Sequence, residues 1–291
     1  MKRFRYYRLV LLVNLFSLVP FWVLYLLSDF LFFILYRLLK YRYKVVIENL
    51  SKSFPEKSSA EIQQIARGFY KNLSDITLET IKGFTLSKEA YLKRHRFVGM
   101  ELLEKDFENG QSVLLAGGHF TNWEWGLFCI GLVMKHQMVA VYKPINNKAV
   151  DDYFNNRRSR WGVRLAAMHQ VGRAIARYKD EACAFLFIAD QSPSDVQNAH
   201  WIDFLNQDTP FLPGIDKIAR RTNYPVFYCD LRRVKRGYYE LTLSELCRDS
   251  SQFKEGEITQ LFAKKLEQSI DANPSDWLWS HKRWKRKRRS D

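Results

Sequence analysis

Cysteine is scarce in this chain: Cys129, Cys183, Cys229 and Cys247 are the only four in 291 residues, and no two form a C-x-x-C pair. That excludes a disulfide framework and a ribbon-type zinc site, and it suits a reducing compartment. Histidine is nearly as rare. None of the six falls in an H-E-x-x-H pattern, and His95, His136, His169, His200 and His281 show no paired spacing, so no metal is expected. Negative charge is also short, with 31 acidic against 46 basic residues. The excess sits at the ends. Residues 1–44 set eight lysines and arginines against Asp29 alone, and residues 281–291 set seven against Asp291, so the body between is nearly neutral. A nucleic-acid binder should spread its cations over a folded face. Cationic ends beside an apolar segment instead favour an anionic membrane surface, a solvated tail being the competing reading.

No small-residue cleavage site follows the apolar start, because bulky residues continue to Leu39, so a cleaved secretory signal is not expected. The run "LVLLVNLFSLVPFWVLYLLS" between Arg8 and Asp29 has about the length of a membrane-crossing helix. Asn14, Ser17 and Pro20 weaken a clean span, which leaves an interfacial or re-entrant helix open. No internal repeat or low-complexity linker is present. Residues 1–45 are therefore expected to form an N-terminal membrane-anchoring helical segment, and residues 46–291 one catalytic domain with a basic tail.

Beyond Val45 the periodicity alternates. A helix is predicted within "SFPEKSSAEIQQIARGFYKNLSDITLETIKGF", after a Pro-containing entry and closed by Gly83, and a short one across "ELLEKDFENG". Strand "SVLLA", helix "EWGLFCIGLVM", strand "MVAVYKP", a polar helix from about Asn147 to Arg160 and helix "GRAIARYK" follow. Strand "ACAFLFIAD", helix "GIDKIARRTN", strands "PVFYC" and "YYELTL" and helix "EITQLFAKKLEQSIDAN" complete the series. This order predicts an α/β fold, a central mixed sheet flanked by helices. Reactive groups in such sheets gather beyond strand ends, where "GGHFTNWEW" and "IADQSP" both sit.

On one continuous helix, His119 and Glu124 would point about 140° apart. They can meet only if the histidine lies on the incoming loop and the glutamate in the first helical turn. Gly117 and Gly118 break the strand, and "TNWE" is a capping-box pattern with Thr121 as candidate N-cap. Two readings stand. Glu124 caps a helix beside an ordinary turn histidine, or it accepts a hydrogen bond from His119 and leaves the other ring nitrogen to take a proton. With no Ser or Cys nucleophile in the motif, the second reading implies direct attack by the substrate.

"GGHFTNWE" resembles the H-x4-D/E signature of glycerolipid-type acyltransferases, in the form found in the bacterial lipid A biosynthesis acyltransferase family. The likeness extends over nearly the whole chain, through "PFWVLYLLSDFLFFILYRLLKYR", "VYKPINN", "NNRRSRWG", "IADQSP", "TPFLPGIDKIARRTNYPV" and "DWLWSHKRWK". Lys143 stands where many members carry arginine. The resemblance implies His119 as base, Glu124 as its orienting group, Arg158 as the oxyanion or phosphate binder with Arg160 as fallback, and Asp190 holding Arg158. Asn122, Lys143, Arg160 and Gln191 are candidate substrate-binding residues, Asn122 either holding the loop or only favouring the turn. The tryptophans of "DWLWSHKRW" sit at lipid headgroups or inside the core, and His281 is left out of catalysis.

Two functions are carried forward. The first is a bacterial inner-membrane acyltransferase, on the cytoplasmic face, moving a fatty acyl chain from acyl carrier protein or acyl-CoA to a hydroxyl of a lipid A precursor, or to another lipid acceptor such as an aminolipid or glycosylated pigment precursor. No cofactor is expected. The second is a membrane-tethered binding protein that has lost turnover.

Overall fold

The structure, a computed structural model, describes residues 2–288 and within them all side chains except those of residues 2–9, 127 and 128. The basic side chains of Lys2, Arg3, Arg5, Arg8 and Arg289 lie outside the described residues. The first apolar run is not one helix. Helix α1 (Lys2–Ser17) stops before Pro20, and α2 (Phe21–Phe33) begins after it, then widens into a π-turn over Ile34–Leu38. A proline ring lacks the N–H that a continuous helix needs at this point.

Helices α3 (Tyr43–Ser53) and α4 (Ser59–Gly83) follow, the latter opened by a reciprocal capping box between Ser58 and Glu61. Then come α5 (Lys88–Leu92), β1 (His95–Val98), α6 (Glu104–Glu108), β2 (Val113–Gly117), α7 (Trp123–Val133), β3 (Gln137–Tyr142) and α8 (Lys148–Arg158). The chain continues through β4 (Arg164–Ala167), α9 (Val171–Arg177), β5 (Cys183–Ile188), the hairpin β6 (His200–Phe204) and β7 (Gln207–Phe211), α10 (Gly214–Thr222), β8 (Val226–Lys235), β9 (Tyr238–Cys247) and α11 (Glu257–Ala272). Seven strands form one sheet in the order β1-β9-β8-β2-β5-β3-β4, parallel throughout except where β8 meets β9. The predicted mixed α/β sheet is thus observed, with β1 and β4 added at its edges and the β6–β7 hairpin forming a separate two-stranded sheet.

Both faces of the sheet are covered, which explains why β2 and β5 read as unbroken apolar runs. Leu114 and Ala116 pack in one core with Phe185, Tyr228, Phe262 and Leu266; Val113 and Leu115 pack in the other with Ala184, Trp125, Cys129 and Phe227. Strands β2 and β5 lie side by side at the centre, Gly117 opposite Ile188, so the loops leaving their ends are neighbours.

Helix α4 ends against α7. A Cβ at Gly83 would overlap the Trp125 indole nitrogen and the Tyr91 hydroxyl. Those two groups donate to the carbonyls of Glu79 (2.9 Å) and Gly83 (2.8 Å). Gly83→Ala is therefore expected to lower the urea midpoint by an amount equivalent to about 1–3 kcal/mol, as overpacking does; an unchanged midpoint would show that the contact relaxes freely.

Candidate active site

Beyond β2 the chain turns sharply. Thr121 adopts φ +41°, a left-handed conformation that a β-branched residue takes only under constraint, and its buried hydroxyl has no partner among the described residues. The turn is held from the C-terminal segment: Thr121 N–H donates to the Asp276 carbonyl at 2.9 Å, and Phe120 bridges Trp277. Helix α7 then starts with Asn122, not Thr121, as its N-cap, the Asn122 amide oxygen accepting the Trp125 N–H at 3.1 Å. His119 is on the loop and Glu124 in the first turn, as the spacing requires.

The two do not pair with each other. His119 Nδ1 donates to Asp190 Oδ1 at 2.5 Å, and the His119 backbone N–H donates to Asp190 Oδ2 at 2.8 Å. Trp277 Nε1 adds a third donor to Oδ2 at 2.7 Å. Burial alone would raise the Asp190 carboxyl; the interaction with His119 and these three donors outweigh it and hold it down to about 2. Asp190 is therefore an anion in the folded protein at neutral pH. It fixes the His119 tautomer and leaves Nε2 facing the Gln191 amide nitrogen at 3.1 Å. Glu124 binds Arg158 instead, accepting from Nε at 3.0 Å and from Nη2 in a fork-to-fork pair. The expected partners are exchanged: aspartate orients the histidine, glutamate the arginine. The cause is topological, because residues 119 and 190 each lie two positions beyond the paired residues Gly117 and Ile188.

His119, Glu124, Arg158, Lys143 and Gln191 all line one cavity of about 520 Å³. Its lining also includes the apolar side chains of Leu165, Met168, Val171, Phe187, Ile215 and Ile218. The remaining candidates lie elsewhere. Asn122 is fully buried and points away from the cavity, its amide nitrogen donating to Glu79 Oε2 at 2.9 Å, which fits the loop-holding reading. Arg160 turns back to the carbonyls of Gly83 and Phe84 at the end of α4 and stacks on Trp161. Trp277 and Trp279 are buried in the core, so the headgroup reading of these two fails. His281 accepts the Ser192 N–H at 3.1 Å, and burial pushes it down to about 4, which keeps it neutral.

Three contributors escaped the sequence reading. In the sequence Trp277 reads only as one tryptophan of the "DWLWSHKRWK" block, at headgroups or in the core, and not as a donor to Asp190. Glu79 looked like one more polar position on a long helix. Arg283 read as part of the basic tail, yet it is fully buried, lies 4.5 Å over the Phe211 ring, and none of its three guanidinium nitrogens has a hydrogen-bond partner among the described residues. Burial pushes it down to about 10 against the pull of Asp190. Among the described residues no cluster of three His, Cys, Asp or Glu side chains could hold a metal ion. All four cysteines are buried, burial being the first cause that pushes Cys183 and Cys247 up to about 11 and Cys229 up to about 12, so none offers a thiolate at neutral pH.

The bacterial lipid A biosynthesis acyltransferase family model matches residues 2–286 of the chain. A lipid A biosynthesis acyltransferase of Haemophilus influenzae is 20% identical over 235 residues, covering 79% of this chain and 72% of that protein. The lipid A biosynthesis palmitoleoyltransferase of Escherichia coli and a lipid A biosynthesis acyltransferase of Shigella flexneri are each 21% identical over 248 residues, covering 85% of this chain and 80% of theirs.

A buried cation without a hydrogen-bond partner contributes little to stability and is often replaced by an apolar side chain at no cost. Arg283→Met is expected to keep or raise the melting temperature. A fall of several degrees would mean that the guanidinium has a stabilising partner.

Proposed function

The chain belongs to the bacterial lipid A biosynthesis acyltransferase family and is an acyltransferase; from that premise we propose that it moves a fatty acyl chain from a thioester donor directly to a hydroxyl of a lipid A precursor, with His119 as general base. The observation that carries this reading is the His119–Asp190 pair at a cavity lined both by apolar side chains and by the cations Lys143 and Arg158.

In the reaction, the acceptor hydroxyl displaces the Gln191 amide from His119 Nε2. His119 takes the hydroxyl proton while the oxygen attacks the thioester carbonyl, and Asp190 stabilises the imidazolium that forms. The carbonyl becomes a tetrahedral oxyanion. Arg158, pinned by Glu124 through Nε and Nη2, keeps Nη1 for that charge; a preorganised donor of this kind is worth about 3–4 kcal/mol. Collapse forms the ester and breaks the carbon–sulfur bond, and the leaving thiolate recovers the proton from His119. The acyl chain lies along Leu165, Val171 and Ile218.

The donor is acyl carrier protein, an acidic partner. Arg286 Nη2 donates to the Ser194 carbonyl at 2.8 Å, and Ser194 lines the cavity, so the exposed Arg286 stands beside it where it attracts such a surface, with exposed Lys282 and Lys285 nearby in the sequence. The reaction runs at the cytoplasmic face of the inner membrane.

Purified full-length protein supplied with acyl carrier protein thioester and a dispersed lipid A precursor should release free thiol and yield the acylated lipid by mass spectrometry. His119→Ala and Asp190→Asn should each lower the rate at least about a hundredfold, and Glu124→Gln by a comparable factor through release of Arg158. Retention of most of the rate in both His119→Ala and Asp190→Asn sinks the base assignment. Thiol release with no change in the lipid A precursor would move the acceptor to a different lipid.

A further inference from the structure

Residues Phe21–Leu38 form a helix of 18 residues with mean hydropathy 1.7, about 27 Å long at the α-helical rise and so close to a bilayer core. Length and composition alone favour a span. The packing does not.

Helix α2 runs antiparallel to α4 and touches it or its neighbours at every turn. Lys82 Nζ lies 5.6 Å from the Phe21 ring and donates to the Ser17 and Val19 carbonyls. One turn on, the Tyr25 hydroxyl donates to Glu79 at 3.0 Å. Next, buried Ser28 donates to Asp75 at 2.6 Å, and Phe32 packs beneath Lys71. Tyr36 closes the series against Tyr70 at 5.2 Å. At the midpoint Asp29, half-exposed, is held by Arg236 at 2.7 Å, and Arg236 also binds Asp75. A bilayer crossed by this helix would have to admit the Asp29–Arg236 pair and Asp75 near its centre, with Glu79 a turn away and Lys71 and Lys82 of α4 toward its two sides. Each charge at the centre costs about 2.5 kcal/mol or more.

The side turned away from α4 is different. Trp22, Leu26, Phe30 and Phe33, spaced by four, four and three residues, are 69%, 60%, 63% and 48% exposed. Leu11, Leu12, Leu15 and Leu18 of the preceding segment are exposed as well, and beyond Leu38 and Leu39 come the exposed Lys40 and Lys44. One apolar stripe, with cations at its C-terminal end, matches the headgroup boundary of an anionic bilayer. We infer that this protein does not span the membrane: α1 and α2 lie flat in one leaflet of an anionic lipid bilayer, immersed along the Trp22–Phe33 stripe. Helix α1 packs against α4 and against α8, which carries Arg158, so the immersed surface runs beside the cavity and an acceptor lipid reaches it from that same leaflet.

The test uses full-length protein reconstituted in vesicles of phosphatidylethanolamine and phosphatidylglycerol, three to one. Nitroxide labels are placed through Trp22→Cys, Leu26→Cys, Phe30→Cys and Phe33→Cys; the four native cysteines are buried and serve as the unlabelled background. Unchanged melting temperature serves as the check on folding. Power saturation with oxygen and a water-soluble nickel complex should give all four labels one shallow depth, alike within about one helical turn, or 5 Å. A depth that changes progressively, by up to about 16 Å between positions 22 and 33, identifies a span and overturns the inference. Full nickel access at all four positions overturns it too, since the stripe would then face water. Binding to phosphatidylcholine vesicles should be at least about tenfold weaker, as loss of the anionic surface predicts; equal binding refutes the anionic component. None of these readings depends on acyl transfer, so the inference can fail while the proposed reaction stands.

Discussion

Asp190 is 2% exposed, and an ionised carboxylate moved to such a place without partners would be costly enough to stay protonated. It stays ionised because three N–H groups converge on it: the ring and backbone of His119 and the indole of Trp277. The constraint acts on everything around it. The His119 backbone must approach the end of β5, which forces the turn that puts Thr121 at φ +41°, and the C-terminal segment must fold back so that Trp277 reaches the same carboxylate. A chain lacking residues 277–288 would lose a donor to Asp190 and the strut at Phe120 together. The basic tail seen in the sequence is thus preceded by a stretch that is structural.

The exchange of partners between the two acidic residues follows from sheet register. Sequence proximity favours His119 with Glu124, five residues apart; the fold brings in Asp190 from seventy-one residues away because β2 and β5 are adjacent and aligned. Glu124, in the first turn of α7, then faces α8 and takes Arg158. A residue pattern reports which chemical groups are present. Pairing among them depends on which strands are neighbours, and strand order has no local signature. The four residues that the sequence singled out do converge, but with two of the contacts redistributed.

The same distinction separates the elements that were legible from those that were not. Central strands β2 and β5, and the first half of β8, are apolar on both faces and stood out. Strands β1 and β4 are the two edges of the sheet, and "HRFV" and "RLAA" carry the charge that edge strands tolerate and that hides their period. The β6–β7 hairpin turns through Leu205 and Asn206 at φ +52° and +60°, a conformation that usually advertises itself with glycine; here none is present. Pro20 was visible as an interruption, but what the two halves of the apolar run rest against could only come from packing.

That packing joins the exposed apolar helix α2 to the candidate site through one side chain. Glu79 of α4 accepts hydrogen bonds from Tyr25 of α2, from Asn122 at the N-cap of α7, and from Tyr239 of β9, while its backbone carbonyl accepts from Trp125. Burial raises its carboxyl, and the three side-chain donors oppose that rise. Asn122 is three residues from His119 and two from Glu124, so whatever fixes it fixes the loop that carries both. Helix α2 therefore does not hang from the body as a detachable tether: its Tyr25 shares a carboxyl with the residue that starts the helix of Glu124. A displacement of α2 along α4 by one turn would remove Tyr25 from Glu79 and Ser28 from Asp75 at once, leaving two buried acidic groups short of donors. The placement of α2 and the geometry of the loop that carries His119 are held by the same row of polar contacts on α4.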